Sequence, residues 1–192
     1  MPFEPKTPQP GPGLAASSSA AGPGPGPMVF GIDPGGRGAL AAMNLRGEIV
    51  GVWDWPGGAR ETWQMMAEHN LLRCELVAME AQHGFALARG GQIHPMQSAK
   101  TNFALGQNYG IWQGLIAVLG WPLEIISTAS WRKAVLDSAV PKKPTKADIV
   151  AFAGRRWPAQ TWHKTKDGRA EAACLAEYAR QQIIGRRGGN DR

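Results

Sequence analysis

Several kinds of site are ruled out by what this chain of 192 residues has little of. It carries only two cysteines, Cys74 and Cys174, isolated from each other and without ligand-like spacing. They make neither a disulfide framework nor a thiolate metal cluster, and the simplest expectation is a reducing, cytoplasmic setting. The four histidines, His69, His83, His94 and His163, lack metal-ligand spacing. No serine stands in a nucleophile elbow, so acyl-transfer chemistry of the hydrolase kind has no candidate. No apolar run is long enough to span a bilayer: the nearest, residues 114–126, is broken by Gly120 and Pro122. The N-terminus has neither the basic start nor the apolar core of a secretory signal. No membrane partner is expected.

What is abundant is glycine and proline, 25 and 15 residues, and much of that excess lies in residues 1–27, which end GPGPGP. Such a composition cannot bury enough apolar surface to order itself, so these residues read as a disordered tail. The chain has a formal charge of +6 and a pI near 9.7. The tail adds nothing to that, because Glu4 and Lys6 cancel. The basicity belongs to the part that folds, which favours a polyanionic partner. The expected organisation is a single domain over residues 28–185, followed by a flexible basic tail over 186–192.

Residues 28–43, MVFGIDPGGRGALAAM, hold the most informative pattern. Val29, Phe30 and Ile32 form an apolar run, Asp33 interrupts it, Pro34-Gly35-Gly36 turns the chain, and small apolar residues return. This reads as a buried hairpin, with a carboxylate where an unpaired one is costly to bury. Two readings of Asp33 stay open: a cap for the turn, or a group placed for chemistry. Residues 48–53 alternate as a third strand. Residues 59–74 carry Trp63, Met66, Ala67 and Leu71 at helical spacing, and 75–80 form a short apolar run that ends on Glu80. Residues 81–98 read as a mobile loop.

Residues 98–119 give the clearest helix, with an apolar stripe of Phe103, Leu105, Tyr109, Trp112, Leu115, Ile116 and Leu119. Gly106, Gly110 and Gly114 recur along it at a cost in helix propensity, which predicts that something packs closely there. A strand over 123–127 follows, then helices over 129–136, 145–156 and about 168–184. Strands come first as a meander and then alternate with helices. The expected class is α/β, a mixed sheet with helices on its faces.

The acidic residues at element ends are Asp33, Glu80, Asp167 and Glu171. Each has an ordinary account: Asp167 as a helix N-cap, Glu171 as a first-turn residue favoured by the helix dipole, Glu80 as a strand-end polar group. Asp167 and Glu171 are four apart, so a helix sets both on one side, where they repel unless a cation lies between them. Clustered carboxylates on rigid elements suit a hard divalent cation. Two such ions serve in-line phosphodiester displacement.

In that order, GIDPG at 31–35, VAMEAQ at 77–82 and DGRAEAACLA at 167–176 resemble the acidic motifs of RuvC-type Holliday junction resolvases, within the RNase H-like superfamily. GQNYGIWQGLIAVLGWPLEII, then WRKAVL, then TKADIVAFAGRRWP resemble the segments between them. The resemblance runs from about residue 28 to 184. It implies an RNase H-like mixed five-stranded sheet flanked by helices, and a metal-dependent endonuclease that resolves four-way DNA junctions as a homodimer. Asp33, Glu80 and Glu171 match the family's metal ligands, with Asp167 as the fourth. The cofactor implied is Mg²⁺, with Mn²⁺ as the substitute. One departure is that the family's last two acids often lie three apart, not four.

Arg132, Lys133 and Lys146 lie where the family has basic residues near the scissile phosphate, and Lys142 and Lys143 extend that charge; a solvated basic helix face is the other account of them. An aromatic residue after the second acid helps to open the junction in the family. Phe85 is the candidate here, although His83 is nearer in spacing and a loop phenylalanine can simply pack on its own domain. The glycine-spaced helix is the candidate dimer surface, unless its own sheet packs against it. The setting implied is a bacterial or phage-infected cell, near the nucleoid. Rival readings are a nuclease of the same superfamily acting on RNA or on other branched DNA, and a non-catalytic nucleic-acid-binding protein. An actin-like ATPase would need a second phosphate loop and a second domain.

Overall fold

The computed structural model describes residues 26–71, 73–82, 88–89, 92–93, 98–163 and 167–189. Strands β1 (Met28–Asp33), β2 (Ala39–Asn44) and β3 (Ile49–Asp54) form the expected antiparallel meander. After α1 (Ala59–Glu68), β4 (Leu76–Glu80) lies parallel to β1. A small antiparallel pair, β5 (Ala88–Arg89) with β6 (Gln92–Ile93), stands within the stretch expected as a mobile loop. After α2 (Ala99–Leu119), β7 (Leu123–Ile126) adds a parallel strand beside β4, and α3 (Thr128–Val135), α4 (Lys146–Arg156) and α5 (Asp167–Gly189) complete the chain. The sheet order is β3-β2-β1-β4-β7, the mixed five-stranded sheet that was expected.

The central strands β1, β2 and β4 are buried on both faces, so their apolar runs are nearly continuous. Val29, Ala41 and Ala78 point to the side covered by α3, α4 and α5, where Trp131, Ile149, Phe152 and Leu175 fill the layer. Phe30, Ile32, Val77 and Met79 point to the other, where Met66 of α1 and Trp112 and Ile116 of α2 pack. Helix α5 lies closest to the sheet. A Cβ on Gly31 in β1 would stand 2.0 Å from the carbonyl oxygen of Ala172 and 2.2 Å from the nitrogen of Ala176. Only glycine on the strand and alanine on the helix allow backbones to approach this far. The run AEAACLA is therefore a packing surface.

Local chemistry sets the helix ends. Ser98, Ser127 and Thr145 cap α2, α3 and α4, and Thr145 with Asp148 forms a full capping box, a device worth about 1 kcal/mol. Helix α1 stops at Glu68, short of the expected residue 74, because Asn70 takes a left-handed φ of 54°. Helix α5 runs on to Gly189, past the boundary expected at 185, so residues 186–189 are helical rather than tail. Arg186 and Arg187 hold this end against the sheet side through Glu124 and Glu75, at 3.5 and 3.3 Å.

Two expectations about α2 and α1 are corrected. Among the described residues nothing lies within 4 Å of a methyl group added at Gly106, Gly110 or Gly114, so the sheet does not pack on them. Phe103, expected in the apolar stripe, is 74% exposed; Trp63 of α1 is also largely exposed. A helix needs only one face against the sheet, and Trp112 and Ile116 supply it here.

Candidate metal centre

Asp33 and Glu80 end two adjacent parallel strands, β1 and β4, whose register aligns Ile32 with Met79. Both carboxylates therefore leave the sheet at the same edge, the carboxyl ends of the parallel strands, where α/β sheets place their ligands. Glu171, one turn into α5, reaches the same point because α5 lies against Gly31 just below. One carboxylate oxygen from each of Asp33, Glu80 and Glu171 lies within 4.8 Å of the others, and this trio forms a possible metal cluster among the described residues. Asp33 and Glu171 are buried and Glu80 is half-buried.

The cavity above them has a volume of about 450 Å³ and is walled also by Gly35, Gly36, Lys146 and Gly168. The turn after β1 and the start of α5 meet tightly. A Cβ on Gly168 would stand 2.4 Å from the carbonyl oxygen of Arg37 and 2.8 Å from Oδ2 of Asp33. The Gly35 amide donates to Oδ1 of Asp33 at 2.9 Å. Asp33 thus caps the turn and belongs to the acidic trio at once, and the two readings of it do not compete.

Each acid has a neighbour that fixes it. Thr128 donates its hydroxyl to Oε1 of Glu80. Arg132, one turn further along α3, places Nη2 3.3 Å from Oε1 of Glu171, while its own Nε is buried without a hydrogen-bond partner. The Glu171 carboxyl is pushed up from 4.5 to about 7, first by burial, then by the charges of Asp33 and Glu80, with Lys146 and Arg132 opposing. Three mutually repelling oxygen donors, with no sulfur or imidazole among them, fit a hard cation such as Mg²⁺ or Mn²⁺.

The expected basic residues divide into two groups. Lys146 enters the acidic cavity, and Arg132 borders it. Lys133, Lys142 and Lys143 line a neighbouring groove with Arg132. Three other cations from the same stretch of sequence have structural partners: Arg169 grips Asp54 with two hydrogen bonds, Arg156 lies 3.7 Å from the buried Glu177, and Arg155 lies 3.9 Å from Asp137. Asp167 is the first residue of α5, but its side chain lies outside the described residues, as do Phe85, His83, Lys164 and Lys166. Sequence reasoning missed Thr128 and Gly168. The only signal for Thr128 was its place directly after a strand, and that for Gly168 was a glycine costly to helix formation in a first turn.

Neither a protein-family model nor a curated protein sequence matches the chain. Two solved structures of Thermus thermophilus RuvC share its fold, one of them in complex with a Holliday junction substrate. Each aligns with a TM-score of 0.54, over 84% of this chain and 96% of the other, at 16% identity for the complex and 18% for the second structure. The chain has a RuvC-like fold, of the RNase H-like kind. No helix among the described residues is long and apolar enough to cross a membrane.

Proposed function

We propose that the protein is a divalent-metal-dependent endodeoxyribonuclease that resolves four-way DNA junctions by phosphodiester hydrolysis. The observation that carries this reading is the convergence of Asp33, Glu80 and Glu171 at the carboxyl edge of a sheet with the RuvC arrangement. One of the similar structures was solved with a Holliday junction substrate.

In this reading Asp33, Glu80 and Glu171 hold Mg²⁺ or Mn²⁺, with Asp167 as the fourth ligand at the start of α5. The chemistry supplied by two such ions is charge stabilisation of an in-line displacement by water at phosphorus. The protein's own groups do the rest. Thr128 keeps the Glu80 carboxylate in place. Lys146 and Arg132 offset acid charge when the site is empty and attract the scissile phosphate when it is filled. The Gly35-Gly36 turn leaves room for a phosphate backbone to approach. Lys133, Lys142 and Lys143 neutralise neighbouring phosphates, which positions DNA without reading its sequence. Phe85 is assigned to the junction's exchange point. Resolution needs two cuts, hence two copies of the chain. The glycine face of α2, with Phe103 and Val118 exposed beside it and no neighbour among the described residues, supports that helix as the contact between copies.

The test presents purified protein with a synthetic four-way junction, a linear duplex, an RNA–DNA hybrid and a branched RNA, each with Mg²⁺ or with a chelator. Paired, metal-dependent cuts in the junction alone are expected. Equal cutting of duplex and junction would remove junction selectivity, and preference for either RNA substrate would move the protein to an RNA-processing role. Asp33→Asn and Glu80→Gln should each lower the cutting rate at least about a hundredfold. Full activity in either variant would remove the proposed site. Binding without any cutting would leave a non-catalytic binder.

A further inference from the structure

A second cavity is linked to the acidic one through two side chains of α3 that bond its carboxylates. It is a groove of about 580 Å³ between α3 and the linker leading to α4. Helix α3 contributes Thr128, Ala129, Arg132 and Lys133, and the linker adds the apolar Leu136, Val140 and Pro141. Thr128 and Arg132 line the groove and also bond Glu80 and Glu171, which line the acidic cavity. Whatever occupies the groove lies one side chain away from the carboxylates.

The lining states the chemistry of its occupant. With Lys142 and Lys143 it presents four cations and no acid, which calls for an anion. A free phosphate would need neither the volume nor the apolar floor, where Leu136 and Val140 sit partly buried against the core. A nucleotide needs both: charge at one end and a flat, apolar ring at the other. The volume falls within the usual range for clefts that bind small molecules, about 300–1,000 Å³.

The linker is also preformed. The Asp137 carboxylate accepts from the Ala139 amide at 3.0 Å, the Val140 amide donates to the Asp137 carbonyl at 3.1 Å, and the Thr145 capping box anchors the far end. Pro141 and Pro144 fix two further backbone angles.

We propose that this groove receives one unstacked nucleotide of the strand being cut, with its base against Leu136, Val140 and Pro141 and its phosphate among the lysines. The proposal rests on the nuclease reading and deepens it. Unstacking a base from continuous duplex costs a few kcal/mol, and least where pairing is already interrupted. The groove therefore selects distorted or branched DNA without contacting a base edge.

The test uses the full chain and four-way junctions carrying 2-aminopurine at each nucleotide around the cut in turn. Ca²⁺ reads binding and Mg²⁺ reads cleavage. Ala129 is exposed on α3 and lines the groove, so Ala129→Trp fills it without entering the core. Wild type is expected to raise the fluorescence at one position. Ala129→Trp should abolish that rise and weaken junction binding about tenfold, the size expected when one stacked base loses its platform. An abasic nucleotide at that position should make the two proteins bind alike, and Ala129→Ser should behave as wild type. If Ala129→Trp fails to fold, Pro141→Gly on the exposed linker removes one of the three base contacts, and should lower the fluorescence rise and weaken the intact junction while leaving the abasic junction unchanged. The proposal is overturned if no position responds, or if Ala129→Trp weakens intact and abasic junctions equally. A junction that is cut without a base response removes the groove and keeps the nuclease. A base response lost in Ala129→Trp, on a junction never cut with Mg²⁺, removes the nuclease and keeps the groove.

Discussion

Replacing Glu171 with glutamine keeps its shape and removes the group that the acidic trio strains most. Without metal, burial and the charges of Asp33 and Glu80 hold the Glu171 carboxyl up, from 4.5 to about 7. Below pH 4.5 it is protonated in both the folded and the unfolded chain, and contributes no difference. Between pH 4.5 and 7 the unfolded chain loses the proton while the folded chain keeps it, so the wild type loses stability as pH rises. Above pH 7 the loss is complete, on the order of 3 kcal/mol at about 1.4 kcal/mol per pH unit. Glutamine carries no such cost. The attraction of Arg132 to the ionised carboxylate is already contained in this net shift, so nothing further is subtracted for it.

Glu171→Gln should therefore be more stable than wild type at pH 8 by roughly 3 kcal/mol, or about 6–12 °C in Tm for a domain of this size. The two proteins should melt nearly together at pH 4.5. Adding Mg²⁺ should reverse the order at pH 8, because the cation relieves the repulsion in wild type and finds one ligand fewer in the variant. Thermal melts monitored by circular dichroism at the two pH values, with Mg²⁺ or chelator, check each step. A variant less stable than wild type at pH 8 without metal, or one that responds to Mg²⁺ as wild type does, would refute the reasoning.

Two further outcomes follow from close contacts. Gly31→Ala places a methyl group 2.0 Å from the Ala172 carbonyl, so α5 must lift off β1; a loss of about 3 kcal/mol or more is expected in urea unfolding, together with loss of Mg²⁺-induced stabilisation. Thr128→Val keeps the side-chain shape but removes the donor to Glu80, and should lower the cutting rate about tenfold while leaving junction binding in Ca²⁺ within twofold.

The sequence by itself determined the sheet's first three strands and the helix over 145–156, and it put Asp33, Glu80 and Glu171 among four candidate acids. These are local matters: the alternation of β3, the apolar run of β1 and the Thr145 cap are set by residues a few positions apart. The basic residues between positions 132 and 169 are legible in the sequence only as charge. The tertiary structure divided them, giving Arg155, Arg156 and Arg169 to ion pairs and Lys133, Lys142 and Lys143 to a groove. It likewise turned the glycines of α2 away from the sheet, which removes one of the two accounts of them that the sequence left open.

Thr128 and Gly168 belong to the same class, since each matters through a residue 48 or 135 positions away: Thr128 through Glu80, and Gly168 through Asp33. Asp33 shows the division most clearly. Its neighbours in sequence made it a turn cap, and the backbone of Gly35 bears that out. Its place beside Glu80 and Glu171 required β1 and β4 to pair in parallel and α5 to come down on Gly31. That depends on which backbones can approach one another across the fold, and no spacing along the chain encodes it.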